Sequence, residues 1–152
     1  MTKLFIYLTI LNSCILGDQI TKLWARTHLN TAKVEIISNF FYLHLNFNTG
    51  AAFSSFSNHI VILTIISFLA SIFILIYTIK NFKELNILKI VSLAFILAGA
   101  FANFIDRFVF QKVTDFISIL NFPVFNIADI CLSLGACLFL IALLKSKETA
   151  II

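Results

Sequence analysis

Residues Ile60 to Ile79 read IVILTIISFLASIFILIYTI, a run without a single Asp, Glu, Lys or Arg. About 20 apolar residues is the length an α-helix needs to cross a hydrocarbon core. Three more runs of that kind extend from Leu4 to Trp24, Ile87 to Ile105 and Phe125 to Leu144. The chain is therefore expected to be an all-α membrane protein with four transmembrane helices. The second and third runs are nearly free of polar residues. The first is interrupted late, by Asp18 and Lys22, and the fourth opens on Asn126 and Asp129.

Composition agrees. The 152 residues are 61% hydrophobic and 12% charged, with a mean hydropathy of +1.03. An ordinary soluble domain carries about 25% charged residues. A single Pro and four Gly exclude a linker-rich or disordered chain. The length suits one membrane domain covering residues 1–152. The net charge of +4 does not indicate nucleic-acid binding, because Lys and Arg are scattered between apolar runs and form no basic stripe. Cys14, Cys131 and Cys137 are an odd set inside apolar stretches, without CxxC spacing, and read as small packing residues. Leu11-Asn12-Ser13-Cys14 is a poor lipid-attachment sequence. Lys3 before an apolar run is compatible with a signal peptide. The run continues through Trp24 with no small-x-small site, which favours an uncleaved helix.

The loop charges set the expected orientation. Lys3, Lys80, Lys83, Lys89, Lys145 and Lys147 fall on one side, against Arg26, Lys33 and Lys112 on the other. Both termini and the loop between helices two and three are expected in the cytoplasm. The outer stretch after helix one alternates, with Leu43, Leu45 and Phe47 between Tyr42, His44, Asn46 and Asn48. Period-two alternation predicts a half-buried strand. Val34 to Ile37 is a candidate partner, giving a small extracytoplasmic sheet on the membrane surface. A short amphipathic element is expected around Ala51 to Phe56.

In this topology the polar residues of the spans collect in one layer at the outer surface. Asp18 and Lys22 share a helix face, as a structural ion pair, as part of a site lining, or as both. Asn103 and Arg107 are four apart. Asn103 sits among small residues that permit close helix contact and is expected to hydrogen-bond across the bundle. Arg107 and Asp106 are within reach of the head groups. Asp115 lies in the outer connection, and Asn126 and Asp129 in the first turn of helix four. An acid at membrane depth is costly and points to function. Two acids together can share a proton and activate water. The arrangement points to a membrane aspartic hydrolase. His28, His44 and His59 lack metal-ligand spacing, Ser54, Ser55 and Ser57 lack a nucleophile motif, and there is no phosphate loop. No cofactor or metal is expected. A small transporter, which would hold its acids nearer the midplane, and a non-catalytic membrane assembly factor are the alternatives.

Five stretches, in order, resemble the bacterial lipoprotein signal peptidases, or signal peptidase II. They are Asp18-Gln19-Ile20-Thr21-Lys22, Asn48-Thr49-Gly50-Ala51-Ala52-Phe53-Ser54, Gly99 through Asn103 to Asp106-Arg107, Val113-Thr114-Asp115-Phe116, and Phe125-Asn126-Ile127-Ala128-Asp129. The resemblance implies an aspartic peptidase of the bacterial cytoplasmic membrane, with its active site at the extracytoplasmic surface. It implies a diacylglyceryl-modified prolipoprotein substrate, cut just before the lipidated cysteine. Asp115 and Asp129 match the catalytic pair. Asp18, Lys22, Asn48, Gly50, Asn103, Arg107 and Asn126 match the other positions that line the site. Prolipoproteins, membrane lipids and globomycin-type inhibitors are the implied partners, and a monomer is expected. One departure is Ala102, where the family usually has Gly.

Overall fold

The computed structural model describes residues 1–50 and 60–148. The element expected around Ala51 to Phe56 lies outside them. Helix α1 spans Thr2–His28, strands β1 and β2 span Val34–Ile37 and Phe41–Asn48, and helix α2 spans Ile60–Asn81. Helix α3 spans Ile87–Phe110, strand β3 spans Val113–Ile119 and helix α4 spans Ile127–Glu148. All four helices are long and apolar enough to cross a membrane.

The packing explains the differing helix compositions. Helix α3 touches α1, α2 and α4 and is the central span. Ile90, Ala94, Ala98 and Ala102 bury its small side of the helix completely or nearly so. Helix α2 exposes Ile62, Ile65, Ile66, Leu69, Phe73 and Ile79, which suits a helix solvated by lipid. Its hydroxyls find partners within the helix: Thr64, Ser67, Ser71 and Thr78 each donate to the carbonyl four residues back. In hydrocarbon that is the way to satisfy an isolated hydroxyl.

Helices α3 and α4 meet through glycine. A Cβ on Gly99 would collide with the Ala128 carbonyl and with Leu132, and one on Gly135 would lie 2.7 Å from Ile96 Cγ1. Close approach here brings Asn103 within reach of the start of α4.

Lys3 Nζ donates to the Leu85 carbonyl at 2.8 Å. The start of α1 and the α2–α3 turn therefore share one end of the bundle. The three-stranded antiparallel sheet, ordered β1-β2-β3, sits at the other end. Strand β2 lies where the alternation places it, and β1 is the partner expected at Val34 to Ile37. Strand β3 is a finding, because the sequence reading left Asp115 in a connecting loop. Val113, Thr114, Asp115 and Phe116 are all buried, so both faces of β3 are covered and no alternation marks it. Asn46 pairs with Asp115 and Asn48 with Val113.

The return from β3 to α4 is a tight one. Leu120 takes positive φ, 49°, and Phe125 exchanges backbone bonds with Ile117, 2.9 Å in each direction. That bridge delivers the next residue, Asn126, beside Asp115.

Candidate active site

Asn126 is the residue from which the site is best built. It precedes the first turn of α4 and caps it reciprocally. Asp129 N–H donates to Asn126 Oδ1 at 3.0 Å, and Asn126 N–H donates to Asp129 Oδ2 at 3.2 Å. This is the logic of a capping box, with short polar side chains at both positions. The Asn126 amide nitrogen is left to face inward. It donates to Asp115 Oδ1 at 2.7 Å and to Asn103 Oδ1 at 3.2 Å.

A lysine fixes the polarity of this network. An ammonium can only donate, and Lys22 Nζ reaches Asn103 Oδ1 at 2.9 Å. Asn103 must therefore turn its Nδ2 outward, and that atom donates to Asp129 Oδ1 at 2.8 Å. Gly50 does the same for Asn48. Its N–H donates to Asn48 Oδ1 at 2.9 Å, so Asn48 Nδ2 faces Asp115 Oδ2 at 3.2 Å. Asp115 and Asp129 thus accept from three asparagine side chains and border one cavity of about 510 Å³.

Asn48, Asn103 and Arg107 border the cavity together with the two acids, and an apolar lip runs from Phe122 to Phe125. Arg107 Nη1 donates to Ser67 Oγ at 3.2 Å. Its buried Nε has no partner among the described residues. Burial, and secondarily the charge of Asp129, push the Asp115 carboxyl up to about 7.

The polar residues of α1, α3 and α4 do meet at one end of the bundle, but not all of them border the cavity. Asp18 and Lys22 do form an ion pair, 2.8 Å long, with both side chains fully buried. Neither borders the cavity. Asp18 Oδ1 instead accepts the Ala128 N–H at 2.8 Å and serves the N-terminus of α4. Gly50 is likewise set behind Asn48 and does not border the cavity.

The sequence puts Asp106 within reach of the head groups and in the same polar layer. It is fully buried, accepting the Thr114 N–H at 2.9 Å and lying 3.6 Å from Lys22 and 3.7 Å from Arg26. Arg26, read as a loop charge, donates to Thr114 Oγ1 at 2.8 Å and lies over the Phe110 ring. Gln19 was passed over, although its amide contacts both Asp18 and Asp106. The available signal was spacing: Asp106 follows Asn103 by three residues, on the same helix face as the site.

Comparison with known proteins gives the family of the chain. A family model described as signal peptidase (SPase) II matches residues 10–145. The lipoprotein signal peptidase of Clostridium novyi (strain NT) is 36% identical over 140 residues, covering 88% of this chain and 94% of its own. That of Clostridium tetani (strain Massachusetts / E88) is 38% identical over 137 residues, covering 86% and 87%. A bacterial membrane enzyme solved by the in meso method at 2.3 Å superposes with a TM-score of 0.80 at 33% identity, over 97% of this chain and 90% of that one.

Proposed function

The chain belongs to the signal peptidase II family, a multi-pass bacterial membrane aspartic peptidase, and we propose that it cleaves prolipoproteins with water activated between Asp115 and Asp129. The observation that carries this reading is the shared cavity: both acids border it and are linked through Asn126 and Asn103.

In the proposed mechanism Asp115, whose carboxyl burial pushes up to about 7, is the member of the pair that carries the shared proton. Asp129, at the positive end of α4 and accepting from Asn103 and Asn126, is the base. Asp129 takes a proton from the water as it attacks the scissile carbonyl, and Asp115 donates its proton to the carbonyl oxygen. Collapse of the tetrahedral intermediate breaks the C–N bond, the amine leaves with the proton that Asp129 acquired, and Asp115 takes back one hydroxyl proton as the new carboxyl group forms. Neither a covalent intermediate nor a metal enters. Asn48 and Arg107 border the cavity, where they can hold the substrate backbone or the developing oxyanion.

The substrate in this reading carries diacylglycerol on the cysteine that follows the cut bond. Its acyl chains stay in the bilayer, since withdrawing them costs about 0.8 kcal/mol per methylene. A cavity where the helices end, with the apolar lip from Phe122 to Phe125, meets such a substrate at head-group height. The loop charges support an extracytoplasmic position for this end and cytoplasmic termini. Asp18, Lys22 and Gly50 serve the site indirectly.

Purified protein in lipid vesicles should release the signal peptide from a diacylglyceryl-modified precursor, and globomycin should stop it. No cleavage by well-folded protein overturns the reading. Cleavage of the unlipidated precursor at an equal rate removes the lipid requirement from it.

A further inference from the structure

Each acid of the proposed pair is preceded by a residue whose backbone N–H is held by another buried carboxylate. Thr114, before Asp115, donates to Asp106 Oδ2 at 2.9 Å. Ala128, before Asp129, donates to Asp18 Oδ1 at 2.8 Å. These two carboxylates are not independent. Lys22 Nζ lies 2.8 Å from Asp18 and 3.6 Å from Asp106. Gln19 Nε2 reaches Asp18 Oδ2 at 3.2 Å, Asp106 Oδ1 at 3.4 Å and the Ala102 carbonyl at 3.2 Å.

We propose that Asp18, Gln19, Lys22 and Asp106 form one buried positioning hub that sets the separation of Asp115 and Asp129 by gripping the backbone immediately before each. The inference rests on the proposed roles of those two acids. Strand β3 and helix α4 are already joined by the Phe125–Ile117 bridge and by Asn126. The hub adds a second grip, from α1 and α3, on the backbone just before each acid. Its charges balance: Asp18 and Asp106 against Lys22 and the neighbouring Arg26, which lies 3.7 Å from Asp106. Neutral as a whole and saturated with hydrogen bonds, it can persist at membrane depth. Lys22 also donates to Asn103, so the same ammonium orients the amide that reaches Asp129.

None of the four borders the cavity, so they act through other groups and are positioning residues. Loosening the hub should therefore slow the chemical step and leave substrate binding alone. It should also loosen both clamped amides at once.

The test uses full-length protein in vesicles with the diacylglyceryl-modified precursor, comparing wild type with Gln19→Met and Asp106→Asn. Gln19 is only half-buried, so Gln19→Met is the variant that keeps the fold if Asp106→Asn does not. For Gln19→Met, kcat is expected to fall about 5- to 20-fold with KM within about twofold, and amide hydrogen exchange should speed up at both Thr114 and Ala128. For a folded Asp106→Asn the same pattern is expected, with a larger fall. The double variant Asp18→Asn/Asp106→Asn should lose less than the product of the single losses. Unchanged kcat in Gln19→Met, or faster exchange at only one of the two amides, overturns the hub. Absence of cleavage by the wild type instead counts against the proposed function, so the two failures are told apart.

Discussion

Asn126 Nδ2 stands 2.7 Å from Asp115 Oδ1 while the Asn126 backbone N–H holds Asp129 Oδ2 at 3.2 Å. One residue thus touches both acids, and both contacts follow from its position at the start of α4.

Asn126→Ala should break the bridge while leaving both acids in place. It loses a helix cap, worth about 1 kcal/mol, and the donor to Asp115. A fall in kcat of roughly 100-fold is expected, equivalent to about 3 kcal/mol. Initial rates on the lipidated precursor, with a thermal melt alongside, check this.

The pH dependence follows from Asp115. Its carboxyl titrates near 7 in the folded protein, so turnover should fall as pH rises through about 7 and the proton donor is lost. The stability effect has the same direction. The unfolded chain releases this proton near the ordinary value of 3.8, so the folded state holds more protons between there and about 7, and stability declines across that window. Asp115→Asn removes this dependence. The stability difference between variant and wild type should move in favour of the variant by roughly 4 kcal/mol from pH 4 to pH 8. Paired melts across that range measure it.

Lys22 is fully buried among Asp18, Asp106 and Asn103. Lys22→Met leaves two buried carboxylates without their common cation and should cost about 3–5 kcal/mol. Little folded protein should be recovered from membranes, as read by size-exclusion chromatography in detergent.

Gly99→Ala should be more harmful than a single methyl implies, because the added carbon meets the Ala128 backbone and not a flexible side chain end. Overpacking of this kind costs about 1–3 kcal/mol. It also pushes on the turn that carries Asp129, so activity should fall further than the melting temperature alone accounts for. Ala102, three residues on, is buried at 1% exposure, its methyl packed within the bundle.

The spans and the first two strands are legible because apolar runs of about 20 residues mark the helices, with that of α2 free of charge, alternation from Tyr42 to Asn48 marks β2, and Val34 to Ile37 is its candidate partner. The layer holding the polar residues was legible from topology, since the end of α1, the end of α3 and the start of α4 must share one side. Strand β3 was not legible, because a short strand covered on both faces carries no period-two signal. Asp106 and Arg26 were misread for a physical reason. Near a helix end a charged side chain can turn out to the head groups or inward to a partner, and Lys22 and Thr114, the partners that decide, come from distant parts of the chain. Their spacing to Asn103 and Lys22 was visible, but their common target, the backbone of a strand that had not been recognised, was not.

The most direct measurement is cleavage of a diacylglyceryl-modified precursor by purified wild type, Asp115→Asn and Asp129→Asn in the same vesicles, read by mass spectrometry at the new amino terminus. Wild type should cut just before the lipidated cysteine, and each variant should insert normally and lose at least about 1,000-fold in rate, about 4 kcal/mol of transition-state stabilisation. Cleavage at the wild-type rate by either folded variant would contradict the shared role of the two acids.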